Sequence, residues 1–102
     1  MAILQSKIQT KSDDFKANAV HQRKLVSELN QHLGNVAEGG GTKARELHES
    51  RGKLFARERI RTLLDLGTPF LEFSALAAHD LYEGNAPGAG IVTGVGMIAT
   101  TE

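Results

Sequence analysis

Three consecutive glycines, Gly39 to Gly41, divide this chain into two parts with different apolar patterns. Glycine has the greatest backbone freedom of any residue, so a triplet ends whatever regular element precedes it. The part before it has the period of a helix, and the part after it changes from short helices to strands. We therefore expect an amino-terminal helical arm over residues 1–38 and the beginning of an α/β domain over residues 39–102.

The arm is predicted to form one amphipathic helix from Asp13 to Glu38. Its apolar residues recur at helical spacing: Phe15, Ala19, Val26, Leu29, Leu33 and Val36. Ser12 is a suitable N-cap, and Asp13 and Asp14 place negative charge at the positive end of the helix dipole. Gly34 marks a place where the helix bends or stops, because a glycine inside a helix costs roughly 1 kcal/mol relative to alanine. We expect the apolar face to pack against another helix, of this chain or of a second copy.

After the glycines, Thr42 is expected to cap a short helix that runs to about Arg51. Gly52 then serves as a left-handed C-cap, and a third helix runs from Leu54 to Asp65. Gly67 and the following Thr68-Pro69 pair end that helix, because a proline disfavours helical geometry at the residue before it.

The rest of the chain is predicted to contain two strands. The first begins at Phe70, and the second covers Ile91 to Ala99, after the turn sequence NAPGAG. Glycines alternate along the second strand, so one of its faces leaves room for a neighbouring helix or a ligand to approach closely. A two-stranded sheet is marginal in water, and we therefore expect a truncated domain rather than a finished one.

Composition excludes several classes of function. Twelve basic residues balance twelve acidic ones, which argues against nucleic-acid binding. The absence of cysteine excludes disulfides and thiolate metal sites and suits a reducing compartment, so we expect a cytoplasmic protein. The first residues do not resemble a signal peptide, and no stretch is apolar enough to span a membrane.

Candidate catalytic groups are few. The histidines have no metal-ligand spacing, and we expect each to be solvated or at the edge of the core: His21, His32, His48 and His79. No serine lies in a nucleophile elbow. The run GAGIVTGVG has the wrong context for a dinucleotide fingerprint, since its glycines belong to a strand. We assign no catalytic residue and no metal site.

A basic cluster follows the second helix: Arg51, Lys53, Arg57, Arg59 and Arg61. Arginine forks and lysine charges suit phosphate oxygens, so Arg51, Lys53 and Arg57 are candidate phosphate-binding residues. The alternative is a helix whose cations form salt bridges with nearby carboxylates such as Glu58 and Asp65.

The run GGGTKARELHESRGKLFARERIRTLLDLGTPFLEFSALAAHDLY, followed by PGAGIVTGVGMI, resembles the opening of carboxyltransferase β subunits of biotin-dependent acyl-CoA carboxylases. The methylcrotonyl-CoA type is the most similar, with the geranyl-CoA type second and the propionyl-CoA type more distant. Two departures from the family pattern bear on local geometry only: Leu66, where proline is common, and Phe55 with Ala56.

The resemblance implies a ligase of leucine degradation with a crotonase-like fold, in which the amino-terminal domain binds acyl-CoA. It further implies a β-subunit hexamer that works with an α subunit carrying biotin carboxylase and the biotin carrier. Carboxybiotin would give CO2 to an enolate held in glycine-rich oxyanion holes, which are expected beyond Glu102, so this chain alone would be inactive. Within this picture, Arg51, Lys53 and Arg57 are expected to bind the phosphates of CoA. A non-catalytic helical interaction module is the alternative from a different class.

Overall fold

The computed structural model describes residues 1–99, in which helices precede a pair of short strands, as expected. The elements are α1 (Asp13–Ala37), α2 (Thr42–Ser50), α3 (Ala56–Leu63), β1 (Leu71–Phe73), a single 3-10 turn (Tyr82–Gly84) and β2 (Thr93–Val95). Residues 100–102, the end of the predicted second domain, lie outside the described residues. The chain forms two compact units, Met1–Gln31 and a second that starts at His32, so the unit boundary falls inside α1. None of the helices in residues 1–99 combines the length and apolar character needed to cross a membrane.

Helix α1 begins as predicted. The backbone N–H of Phe15 donates to Ser12 Oγ at 3.2 Å, and the N–H of Lys16 donates to the Ser12 carbonyl at 3.1 Å, which confirms Ser12 as the N-cap. The helix does not stop at Gly34 but continues to Ala37. A cost of about 1 kcal/mol for one glycine is small beside the hydrogen bonds of the surrounding turns. The chain leaves the helix at Gly39, whose φ of 72° lies in the left-handed region.

The predicted cap of α2 is wrong by one residue. Thr42 is already the first helical residue, and Gly41, with φ 93° and ψ 168°, occupies the cap position without any side-chain hydrogen bond. The prediction for Gly52 is confirmed, since it follows α2 with a left-handed φ of 73°. Helix α3 is shorter than predicted at both ends because Phe55 and Leu64 have extended backbone, with ψ of 143° and 154°.

The two strands pair antiparallel, with Leu71 opposite Val95 and Phe73 opposite Thr93. The predicted strand over 91–99 is reduced to three residues, because β1 offers only three partners. The backbone beyond β2 pairs instead with the turn after α3. The N–H of Asp65 donates to the Met97 carbonyl at 2.9 Å, and the N–H of Ala99 donates to Asp65 Oδ1 at 2.6 Å.

The glycine face of this segment is filled by side chains of the chain itself. A Cβ on Gly94 would collide with the ring of Phe70 and the carbonyl oxygen of Leu71. A Cβ on Gly96 would collide with the side chain of Leu64, the residue that follows α3. At Gly96 the space is therefore occupied by the side chain of the residue that follows α3.

The buried core of the second unit is small. Among the described residues, Val36 and Ala78 are the buried apolar side chains, with 7% and 2% of their surface exposed. The N–H of Ala78 donates to the Pro87 carbonyl at 2.9 Å, and a Cβ on Gly88 would lie 3.1 Å from Val36 Cγ1. This packing explains why the loop NAPGAG, whose sequence predicts only a turn, is held against the end of α1.

Candidate functional site

The basic cluster is distributed over the end of α2, the connection that follows and α3. Arg51 is the C-cap of α2, Lys53 lies in the connection, and Arg57 is in the first turn of α3. Arg51 and Lys53 are exposed, and neither makes an ion pair or a side-chain hydrogen bond within residues 1–99. These two cations are therefore accessible to an anion from solvent.

Arg57 differs from the other two because its guanidinium is bound to a carboxylate on β1. Its Nη1 donates to Glu72 Oε2 and its Nη2 donates to Glu72 Oε1, both at 2.8 Å. Only 21% of the Arg57 side chain and 23% of the Glu72 side chain are exposed. A parallel pair of charge-assisted hydrogen bonds in a half-buried position is a strong and directional contact. It joins the start of α3 to the middle of β1.

The contact between Arg57 and Glu72 shifts the pKa of both groups. The hydrogen bond from Arg57 lowers the pKa of Glu72; desolvation opposes this shift, and the arginine charge adds to it. The pKa of Arg57 is raised, first by the hydrogen bond to Glu72. The contact therefore favours the ionised form of Glu72.

Sequence reasoning named carboxylates as the alternative partners of the cluster but missed Glu72. Glu58 forms a salt bridge with Arg61 at 2.7 Å, and the carboxylate of Asp65 accepts a hydrogen bond from the Ala99 N–H. The available signal was the strand pattern LEF, in which a carboxylate stands alone between two apolar residues on the opposite face. Salt bridging is thus observed for Arg57 and Arg61, while the phosphate role of Arg51, Lys53 and Arg57 stays a prediction.

A second arginine, Arg45 of α2, is also held in place by neighbouring side chains. Arg45 of α2 lies over the ring of Phe55, with its guanidinium carbon 4.5 Å from the ring centroid, and its Nε donates to Glu49 at 3.0 Å. The same ring covers Gly39, where a Cβ would lie 2.9 Å from Phe55 Cε2. Phe55 is one of the departures from the family pattern, and here it fills the space between α2 and the glycine triplet.

Two shallow clefts meet at Arg57. The first, of about 280 Å³, is lined on its apolar side by Ile60, Leu64 and Phe70. The second, of about 260 Å³, is lined by Val36, Phe55 and loop residues 85–88 and 90–92. Arg57 is among the residues that line both clefts. A ligand in either cleft would therefore lie next to Arg57, the residue whose guanidinium is bound to Glu72.

The histidines lie at the surface, as predicted: His21, His32, His48 and His79 are all exposed. His48 Nε2 is 2.9 Å from the carbonyl oxygen of Leu54, and the rings of His32 and His79 meet edge to face at 4.6 Å. Within residues 1–99, no group of three or more histidine and carboxylate side chains is arranged to hold a metal ion.

Comparison with known proteins identifies a family. The chain is 52% identical over 101 residues to a Drosophila melanogaster protein named probable methylcrotonoyl-CoA carboxylase beta chain, mitochondrial. It is 52% identical over 81 residues to the Mycobacterium tuberculosis biotin-dependent 3-methylcrotonyl-coenzyme A carboxylase beta1 subunit. These matches cover 98% and 79% of this chain but only 18% and 15% of the relatives.

A solved structure agrees with the sequence matches. The beta subunit of P. aeruginosa geranyl-CoA carboxylase superposes with a TM-score of 0.60 at 34% identity, over 94% of this chain and 18% of that subunit. The chain thus spans less than a fifth of the length of these relatives. The family model described as the carboxyl transferase domain matches residues 47–100, more than half of the sequence. The chain therefore belongs to the carboxyl transferase domain family.

Proposed function

We propose that this chain is part of the carboxyltransferase subunit of a biotin-dependent acyl-CoA carboxylase whose substrate is 3-methylcrotonyl-CoA. The observation that carries the proposal is the 52% identity, over nearly the whole chain, to a protein named as a methylcrotonoyl-CoA carboxylase beta chain. The M. tuberculosis and Arabidopsis thaliana relatives, at 52% and 44% identity, are named for the same substrate.

Two other acyl-CoA substrates are the near alternatives. The solved relative of 34% identity is a geranyl-CoA carboxylase subunit, and a Cereibacter sphaeroides propionyl-CoA carboxylase beta chain is 38% identical over 79 residues. Both are less similar to this chain than the methylcrotonyl-CoA proteins. The sequence identities to these relatives therefore support methylcrotonyl-CoA as the substrate, with geranyl-CoA or propionyl-CoA as the alternatives.

The proposal includes a cofactor, partners and a fold for the whole subunit. Biotin is carried by an α subunit that also contains biotin carboxylase, the β subunits assemble as a hexamer, and the complete domain has the crotonase-like fold. The helices followed by paired strands in residues 1–99 are consistent with the start of such a domain. The catalytic oxyanion holes would come from glycine-rich turns outside this chain. Cytoplasm stays the proposed location, although the Drosophila and Arabidopsis relatives are named as mitochondrial.

Within that function, Arg51, Lys53 and Arg57 are proposed to hold the phosphates of CoA. The exposed positions of Arg51 and Lys53 support direct contact with phosphate oxygens. Arg57 is held by Glu72 and offers its remaining N–H groups. All three act far from the reacting carbon of the acyl group, so they contribute to binding rather than to the chemical step.

The test is a substrate comparison. The full-length subunit is combined with its biotin-carrying partner, and kcat/KM for carboxylation is measured with methylcrotonyl-, geranyl- and propionyl-CoA. The highest kcat/KM is expected with methylcrotonyl-CoA. A preference for either of the other two would assign the substrate to that alternative, and no carboxylation of any would reject the function.

A helical interaction module is the alternative from a different class, and one observation favours it. The apolar side chains along α1 are substantially exposed: Phe15 38%, Val26 56%, Leu29 48% and Leu33 38%. A face of this kind is used by helices that lie in a groove of a partner. Under this alternative, Leu29→Asp would abolish partner binding in a protein that does not carboxylate any acyl-CoA. Under the proposed function, the same change lowers the stability of an active subunit.

A further inference from the structure

Glu72 occupies an unusual position for a carboxylate, in the middle of the short strand β1 with less than a quarter of its side chain exposed. Its neighbours Leu71 and Phe73 are apolar and more exposed than Glu72 itself. Withdrawing a carboxylate from water is costly unless the group is paired. Both oxygens of Glu72 are paired, and both with the same arginine.

The geometry of the pair leaves part of Arg57 available. Glu72 accepts one hydrogen bond from each terminal nitrogen, Nη1 and Nη2. An arginine side chain has five N–H donors, so three remain: Nε–H and one on each terminal nitrogen. The guanidinium is planar and its donors have fixed directions, so holding two of them fixes the direction of the others.

The surroundings of Arg57 leave space for a ligand. Arg57 is among the residues that line two clefts, and the exposed cations Arg51 and Lys53 precede it by six and four residues in the sequence. Glu72 also joins the first turn of α3 to β1. A carboxylate that orients an arginine in this way improves binding, because the arginine loses less freedom when it contacts a phosphate.

We infer that Glu72 is a positioning residue for phosphate binding: it fixes the Arg57 guanidinium so that its remaining N–H donors contact a phosphate of CoA. The inference rests on the proposed function, because that function supplies CoA as the ligand. Glu72 itself does not touch the ligand in this account. A purely structural clamp between α3 and β1 is the competing role, and it predicts a loss of stability without selectivity for phosphate.

The experiment measures equilibrium binding to the full-length subunit by direct titration with two probes. One probe is CoA, and the other is pantetheine, which has the same thiol arm but lacks the nucleotide phosphates. The variants are Glu72→Gln, Glu72→Asp and the control Glu49→Gln. Glu49 also pairs with an arginine, Arg45, but lies outside the basic cluster.

Glu72→Gln is expected to raise the Kd for CoA by roughly fivefold or more and to leave the Kd for pantetheine unchanged, since it frees a charge-assisted phosphate donor to rotate. Glu72→Asp keeps the negative charge but shortens the side chain by one methylene. It should raise the Kd for CoA by a smaller factor and also leave the Kd for pantetheine unchanged. This variant provides the test if Glu72→Gln does not fold. Glu49→Gln should change neither Kd.

Three results would overturn the inference: an unchanged Kd for CoA in both Glu72 variants, an equal loss of affinity for both probes, or no binding of CoA by the unmodified subunit. The proposed function is judged separately, by transfer of CO2. A subunit that carboxylates methylcrotonyl-CoA but binds CoA equally well without Glu72 would disprove the positioning role alone. A subunit that shows the predicted Kd changes but transfers no CO2 would disprove the function alone.

Discussion

The ring of Phe70 occupies the space beside Gly94 in which any other residue would carry its Cβ. Gly94 lies in the middle of β2, opposite Glu72 of β1, so the contact lies on the same face of the strand pair as the carboxylate that binds Arg57. The absence of a side chain at Gly94 thus lets Phe70, the residue before β1, pack against the second strand. The glycine at position 94 therefore affects the packing next to Glu72, the residue that holds Arg57 of the basic cluster.

Gly94→Ala is expected to destabilise the protein. The new methyl group would meet the Phe70 ring and the Leu71 carbonyl oxygen, and overpacking of this kind costs about 1–3 kcal/mol. The matched control is Gly34→Ala in α1, where nothing lies within 4 Å of the new Cβ and helix propensity predicts a gain of about 1 kcal/mol. Thermal unfolding of the full-length protein should show Tm changes of opposite sign, and a neutral Gly94→Ala would contradict the packing.

Ser12→Ala is expected to weaken the start of α1. The substitution removes the hydrogen bond from the Phe15 N–H to Ser12 Oγ, and losing an N-cap costs roughly 1 kcal/mol. Thr42→Ala is the control, because Thr42 follows the cap of α2 and its side chain caps nothing. Amide hydrogen exchange should become faster in the first turn of α1 in the Ser12 variant. Equal protection in the two variants would show that Ser12 is not a cap.

Local patterns predicted the elements well, because their causes are local. Ser12 and Gly52 act on backbone groups within one or two turns of the helix end. The apolar spacing of α1 is likewise a pattern of residues that are close together in the sequence. The error in the predicted N-cap of α2 is also local, because Gly41, which has a positive φ, takes the cap position that was predicted for Thr42. These features depend on neighbours in sequence, and a single sequence shows them.

Contacts across the fold could not be predicted in the same way. Glu72 is 15 residues from Arg57, and the two side chains meet because the connection between α3 and β1 brings the first turn of the helix and the strand together. Phe55 against Gly39 and His32 against His79 are likewise brought together by the turns between elements. The sequence therefore indicated which residues carry charge near the site, but the partner that fixes Arg57 appeared only in the structure.

Stability should depend on the ionisation of Glu72. The folded-state pKa of Glu72 is lowered from its ordinary value of 4.5, first by the hydrogen bond from Arg57, so the pair stabilises the folded protein above that ordinary value. The contribution is lost as the pH falls below 4.5 and through the lowered pKa of Glu72. Unfolding free energies across this acid range should fall less steeply in Glu72→Gln. Identical slopes for the two proteins would contradict the assigned pair.

Alanine substitutions in the basic cluster should raise KM for acyl-CoA with little change in kcat, because phosphate contacts bind the ground state and the transition state equally. A charge-assisted contact of about 1.5–3 kcal/mol corresponds to an increase on the order of tenfold or more for Arg51→Ala or Lys53→Ala. Arg57→Ala should in addition lower Tm, because Glu72 loses its partner. Kinetics and melting curves are to be compared at one salt concentration. If KM stays constant in all three variants, the cluster does not bind CoA.

Transfer of labelled CO2 tests the proposed function most directly. The biotin-carrying partner is loaded with labelled carboxybiotin, freed of bicarbonate and nucleotide, and mixed with the full-length subunit and 3-methylcrotonyl-CoA. The expected result is label in the acyl-CoA product in an amount equal to the carboxybiotin consumed. Carboxybiotin that persists, or that decays without label appearing in the acyl-CoA, would contradict the assignment of this chain to a methylcrotonyl-CoA carboxyltransferase.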